Sequence, residues 1–242
     1  MYKNFSKVYD IMMEYADYDG WKDIIEEKIR RHGNSPKTIL DLGCGTGEVL
    51  LRLISDYEMT GVDLSKEMVE IANRKVDTAS FYVQDMRELK LDKKHDVVIS
   101  LFDTVNHLIS LEGLKETFSS VWRNLNEDGI YIFDVVTREL MEEMFPGGNF
   151  IDDRGDIMII WEHEEDVEEG IDYVDTTFFV KQKNGMFKKI TEEYVKKIFT
   201  VNEIMMVAKE AGFEVLEVEE NSELAGERIF FTLKKQLKTH NE

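Results

Sequence analysis

Short apolar runs alternate with amphipathic stretches along most of the chain. In the first forty residues Trp21, Ile24, Ile25 and Ile29 recur at helical spacing and Gly33 follows, which predicts an amphipathic helix with a glycine stop. After Pro36 the period switches to short β-rich runs at 38–42, 59–63, 79–84, 96–101 and 129–136. Between them the pattern predicts helices near 47–55, 65–76 and 110–125. In the last of these Ser110 is placed to cap, and Leu111, Leu114, Phe118, Val121, Trp122 and Leu125 form one face. Strands alternating with helices imply right-handed crossovers and a mostly parallel sheet covered on both faces.

The pattern changes after Pro146-Gly147-Gly148. Three extended runs, 156–165, 171–181 and 187–199, are separated by Glu169-Gly170 and by Asn184-Gly185, the latter a hairpin dipeptide. They predict an antiparallel meander inserted into the α/β unit. Thr200 and Glu203 then form a capping box for a helix ending at Gly212, and runs at 213–218 and 228–233 close the chain as a hairpin. The expected fold is therefore α/β. It has a mostly parallel seven-stranded sheet ending in an antiparallel pair, and an inserted antiparallel β-meander.

Composition narrows the function classes. With 30 Lys and Arg against 50 Asp and Glu, the 242-residue chain carries a net charge of −20. That field repels phosphate backbones, so nucleic acid is not an expected partner. Its basic pairs, Lys188–Lys189, Lys196–Lys197 and Lys234–Lys235, are interleaved with acids and read as edge lysines. No apolar run approaches the roughly 20 residues of a membrane span. The absence of a signal-like start, and a single cysteine, Cys44, point to a reducing, cytoplasmic setting. Eight acids between Glu162 and Asp175 read as a solvated strand pair; lining an acceptor pocket, they would favour an amine.

The chemistry concentrates at 41–47, Asp-Leu-Gly-Cys-Gly-Thr-Gly, between a strand and a helix. Glycines permit positive φ and let a ligand touch the backbone, and the helix start offers free N–H groups. This alone indicates a nucleotide-like ligand. The dinucleotide fingerprint puts a third glycine where Glu48 stands, which disfavours NAD. Asp63 ends the second strand, where an acid can accept both hydroxyls of a ribose.

These residues resemble the first signature of the class I (Rossmann-like) S-adenosylmethionine (SAM)-dependent methyltransferases, and the chain keeps step with that family over 36–136. The resemblance implies a Rossmann-like fold and SAM as cofactor. It implies a loop of Asp41, Gly43, Cys44, Gly45 and Gly47, with Asp63 and Leu64 at the ribose and Asp85 and Met86 at the adenine. It also puts Ser100 at the methionine amino group and Phe102 beside the methyl. The family's Asn-Pro-Pro-Tyr-like tetrapeptide is missing from the segment Phe102 to Leu108, which puts DNA- and glutamine-directed methylation in doubt.

In that segment His107 is a candidate general base or a helix-packing residue, and Asp103 a candidate for acceptor binding or loop structure. Many small-molecule members begin with a similar aromatic-rich lid, and among its rings Tyr9 and Tyr18 are the candidates for ligand contact. The remaining histidines, His32, His95, His163 and His240, show no ligand spacing with one another or with Cys44, so no metal is expected. The implied organisation is a helical lid at 1–35, a SAM-binding unit at 36–148 and 200–242, and an acceptor-side meander at 149–199. The expected activity is methyl transfer from SAM to a small-molecule acceptor by a monomer or homodimer, with no membrane partner. Rivals are a SAM-binding regulatory or assembly protein without turnover, or a protein or RNA methyltransferase.

Overall fold

A computed structural model describes residues 6–221, 224 and 226–236. His240 and the outer ends of the expected lid and SAM-binding unit lie outside the described residues. The N-terminal part forms α1 (Ser6–Met12), α2 (Tyr18–His32), β1 (Thr38–Leu42), α3 (Glu48–Leu53), β2 (Glu58–Asp63), α4 (Lys66–Lys75) and β3 (Ser80–Val83). There follow β4 (His95–Ser100), α5 (Leu111–Asn124), β5 (Leu125–Val136) and α6 (Arg138–Met144). A second sheet holds β6 (Asn149–Asp153), β7 (Ile157–Asp166), β8 (Ile171–Lys181) and β9 (Phe187–Lys197). The chain then returns through α7 (Val201–Ala211), β10 (Phe213–Asn221) and β11 (Arg228–Lys235).

The seven-stranded sheet has the order β10-β11-β5-β4-β1-β2-β3, and the last strand in sequence, β11, runs antiparallel between β5 and β10. All pairings from β5 to β3 are parallel. Successive residues of the central strands go to opposite faces, so Ile39 and Val97 pack with Trp21, Ile25 and Leu50 of α2 and α3. Leu40 and Val98 pack on the other face with Phe118 and Val121 of α5 and Ile204 and Val207 of α7. Each of these fully buried aliphatic and aromatic side chains contributes about 1.5–3 kcal/mol by leaving water.

The helix starts are set locally. Ser65 accepts from the Met68 N–H, Ser110 from Gly113, and the Thr200–Glu203 capping box is fully formed. Leu125 is a correction: it opens β5, after α5 has ended at Asn124, because its carbonyl is taken by the buried Lys235 ammonium at 2.7 Å.

The inserted sheet has the order β6-β7-β8-β9, one strand more than the sequence pattern shows. The extra strand, β6, is an edge with little burial, so it has no inward apolar face to produce alternation. The sheet turns its inner face, Ile157, Ile159, Phe178 and Ile190, onto Val8 of α1 and Met68 of α4. Val174 packs beside it with Leu140 and Met141 of α6 and with Phe145, which follows that helix. Asp172, fully buried on β8, receives Arg138 of α6 at 2.7 Å and His163 at 2.6 Å, and His163 stacks on Phe145. The second sheet is thereby pinned over the strand ends of the first.

Candidate functional site

Between the two sheets lies a cavity of about 1080 Å³ at the carboxyl ends of the parallel strands, where open α/β sheets hold ligands. Its floor is the turn after β1, Gly43 to Thr46, with Asp41, Asp63 and Leu64 beside it and Gln84 to Arg87 after β3. The segment after β4, from Leu101 to Thr104 and from His107 to Ser110, forms one wall. Tyr9, Met12 and Tyr18 close the lid side, and α6 with Trp161, Val174 and Tyr194 closes the second-sheet side.

Within the turn the glycines do different things. Gly43 has φ +76°, and a methyl group there would meet the Thr104 side chain at 2.4 Å; its N–H donates to the Val62 carbonyl. Gly45 has φ +52°, and a methyl there would meet only the Tyr9 ring at 3.9 Å, so its backbone is open to the cavity. Gly47 caps α3, is buried against Ala72 and is not on the cavity wall.

The Asp63 carboxylate ties this turn to the next helix: Oδ2 accepts from the Gly45 N–H at 2.9 Å and Oδ1 from Ser65 at 2.8 Å. Burial raises its pKa, while the backbone donors work against that rise. Beside it Asp41 is pushed up to about 8 by burial and then by the Asp63 charge, so one of two neighbouring carboxyls stays protonated at neutral pH. Burial, with the same two acids, pushes the Cys44 thiol up, which makes it a poor nucleophile. Asp85 is held below the usual carboxylate range by the Arg87 side chain, 2.5 Å away. Met86 follows it, half-buried, at the start of a short 3-10 turn.

Ser100 is fully buried, takes the Tyr131 hydroxyl at 3.1 Å and leaves the wall to Leu101. Phe102 and Asp103, neither a glycine, sit at φ +57° and +54°. Phe102 stacks on Trp21 with ring centroids 4.2 Å apart and tilts against Tyr18 at 5.3 Å. The Asp103 carboxylate lies 2.7 Å from the Lys196 ammonium and 3.2 Å from the Arg228 guanidinium. Burial raises its pKa, but Lys196, Arg228 and His107 outweigh that and hold it at about 2. His107 is lowered to about 4 by burial and then by Lys196, and stands as neutral imidazole. Tyr18 is raised by burial and by Glu48 and Asp10, and the Arg52 guanidinium covers its ring. The candidates from all strand ends thus converge on one cavity, with Ser100 and Gly47 just behind its surface. Among the described residues no group of three or more His, Cys, Asp or Glu gathers to hold a metal, and no helix is long and apolar enough to cross a membrane.

Three residues escape the sequence pattern. Asp134 is fully buried in β5 and takes Arg228 at 2.6 Å; Lys196 reaches the site from β9. The signal for the first was present: a lone acid in the apolar run 130–136. Seven of the eight acids in the run 162–175 are exposed and none lines the cavity; the eighth, Asp172, is spent on Arg138 and His163. The basis for an amine site there is removed.

Comparison with known proteins agrees with this geometry. A family model described as a methyltransferase domain matches residues 39–129. YqeM of Bacillus subtilis, described as a methyltransferase, is 35% identical over 245 residues, covering 97% of either protein. A crystal structure of an S-adenosylmethionine-dependent methyltransferase from Clostridium acetobutylicum aligns with a TM-score of 0.85 and 26% identity, over 98% of this chain and 99% of that one. A dTDP-3-amino-3,4,6-trideoxy-glucopyranose N,N-dimethyltransferase of Streptomyces venezuelae is 27% identical over 130 residues, 52% of this chain and 55% of that protein. A glycine turn open at Gly45, an acid closing the second strand and full-length similarity of this kind have one reading: the chain belongs to the class I S-adenosylmethionine-dependent methyltransferases.

Proposed function

We propose that the acceptor is a small molecule taken into the cavity beside the cofactor. The observation that carries this is enclosure: the second sheet, α1 and α6 stand over the strand ends and leave about 1080 Å³. Small-ligand sites run to roughly 300–1,000 Å³, so there is room for a cofactor and one compact partner. The Streptomyces relative acts, by its name, on a nucleotide-linked sugar, which points the same way. In this reading residues 6–35 serve as the lid and 149–199 as the acceptor-side unit.

The residues fit SAM. Gly45 opens its backbone to the cavity, Asp63 is held at the strand end for a ribose, and Asp85 with Met86 flanks the next position. Leu64, largely exposed, and Phe102 supply apolar surface on either side. When bound, SAM supplies an electrophilic methyl group on a sulfonium. The chain contributes alignment and exclusion of water, which lower such a barrier without a dedicated base. Asp103, committed to two cations, and His107, neutral with a pKa of about 4, are in this reading wall and anchor groups.

A thermal-shift series with SAM, S-adenosylhomocysteine and NAD tests the cofactor site. Ligand at 100 times its Kd stabilises by about 2.7 kcal/mol, and S-adenosylhomocysteine is expected to do so while NAD does not. For the acceptor, labelled SAM is offered with a panel of small molecules and with a protein extract. Label entering only macromolecules would overturn the small-molecule reading.

A further inference from the structure

The acceptor half of the cavity lies between the turn after β4 and the inner face of the second sheet. Its polar side chains are His107 on that turn, Tyr194 and Lys196 on β9, and Arg228 at the start of β11. Tyr194 and Lys196 share the inner face of β9, pairing with Val174 and Asp172 of β8. The carboxylate in this half, Asp103, has both oxygens committed, Oδ2 to Lys196 at 2.7 Å and Oδ1 to Arg228 at 3.2 Å. Of the acids of the run 162–175, Asp172 lies on this inner face but is taken by Arg138 and His163 and does not line the cavity, and the other seven are exposed. Glu143, the other acid here, is exposed at the rim on α6. A protonated amine entering this space therefore meets two cations before it meets a carboxylate that can receive it.

An anion meets the opposite arrangement. The Lys196 ammonium has three donors, and the contact with Asp103 uses one. Its side chain is mostly covered, with 17% exposed, and the contact with Asp103 holds the charge at the wall. The protein's net charge of −20 opposes an anion at long range, but exposed charges are largely screened beyond about 8 Å at physiological salt, so the local cation decides. Around this polar patch the surface is apolar and aromatic, with Leu140, Phe145, Phe150 and Trp161.

Resting on the small-molecule reading above, we infer that the acceptor is an organic acid. Its apolar body lies among Phe145, Phe150 and Trp161, and its carboxylate is received by Lys196. Lys196 is then the residue that selects acids over amines.

Calorimetry on the S-adenosylhomocysteine complex tests this with three probes that share one body: 4-phenylbutyrate, 4-phenylbutanol and 4-phenylbutylamine. The carboxylate is expected to bind about tenfold more tightly than the amine and more tightly than the alcohol. In Lys196→Met the acid and the alcohol are expected to converge, with S-adenosylhomocysteine affinity kept. Should that variant fold poorly, Lys196→Arg, which keeps the charge, is expected to keep the preference, and the wild-type ranking decides by itself. An amine bound as tightly as the acid, no carboxylate binding at millimolar concentration, or a preference that survives Lys196→Met overturns the inference and leaves the methyltransferase reading intact. Failure of S-adenosylhomocysteine itself to bind removes both.

Discussion

The backbone N–H of Asp103 donates to the Asp134 carboxylate across 3.0 Å, in the interior of the main sheet. Phe102 and Asp103 occupy the left-handed region, which costs on the order of 1–3 kcal/mol for each non-glycine residue. A hydrogen bond to a charged acceptor recovers roughly 1.5–3 kcal/mol. Arg228 makes that acceptor tolerable in a dry interior, since it lies 2.6 Å from Asp134 and 3.2 Å from Asp103. The strained turn puts the Phe102 ring on Trp21 and the Asp103 carboxylate on Lys196, on two sides of the cavity wall.

Arg228→Ala would leave the buried Asp134 without its cation and beside the Asp103 charge, which keeps Lys196. Breaking a buried pair in this way costs about 3–5 kcal/mol, and urea unfolding of the variant is expected to show a loss of that order. Asp134→Asn in the same background removes the stranded charge and is expected to restore part of the loss. A cost under about 1 kcal/mol, or strict additivity of the two substitutions, would show that the pair does not act as a unit.

Asp41 predicts a pH dependence of stability. Its folded pKa of about 8 lies above the ordinary value of 3.8, because burial and the Asp63 charge disfavour ionisation. The folded state therefore holds a proton that the unfolded chain releases, and stability from this group is full below about pH 4, falls as pH rises and is lost by pH 8. Asp134, raised to about 6 by burial against the pull of Arg228, adds a decline of the same sign that is complete by pH 6. Asp41→Asn, which cannot ionise, is expected to melt progressively higher relative to wild type as pH goes from 5 to 8. A gap between the two proteins that stays constant over that range would refute the assignment.

Much of this was legible in the sequence, and what was not has physical reasons. The parallel strands read clearly because β1, β4 and β5 are apolar on both faces, and the caps read clearly because Ser110 and Thr200 act within one turn. Strand β6 was invisible because an exposed edge needs no alternation. The acidic run was read correctly as solvated except at Asp172, whose partner Arg138 is 34 residues away. Arg228 and Asp134 are 94 residues apart, and no local pattern links them. Sequence pattern reports what a residue does with its neighbours along the chain; this side of the cavity is made of pairs that only the closed sheet brings together.

Asp63 is expected to be intolerant even of its isostere. Its two oxygens accept from backbone N–H groups on either side, Gly45 and Ser65, so the carboxylate sets the shape of the turn after β1 as well as facing the cavity. Asp63→Asn offers one oxygen in place of two and turns an NH₂ toward a backbone N–H. Both Asp63→Asn and Asp63→Ala are expected to weaken S-adenosylhomocysteine binding at least about tenfold, the equivalent of 1.4 kcal/mol. Calorimetric affinity equal to wild type in the Ala variant would refute a role at the ribose.

The lid supplies the last prediction. Helix α1 has seven residues, too few to be stable alone in water, so its position depends on what holds it. Toward the turn after β1, Asp10 accepts from the Thr46 hydroxyl at 2.5 Å and from Lys75 at 2.9 Å. At the adjacent C-terminal residues, Arg154 from the β6–β7 turn donates to the Ile11 carbonyl at 2.8 Å and the Met12 carbonyl at 3.3 Å, with its guanidinium over the Tyr15 ring. A cation satisfying the last carbonyls of a helix is favourable, and each such hydrogen bond contributes on the order of 1 kcal/mol. Arg154→Ala is therefore expected to raise amide exchange about tenfold across residues 8–16, with a change in global stability below about 1 kcal/mol. Because the lid side of the cavity includes Tyr9 and Met12, release of S-adenosylhomocysteine is expected to quicken in the same variant. Exchange confined to the β6–β7 turn, with protection of residues 8–16 and release rate unchanged, would show that Arg154 does not hold α1 in place.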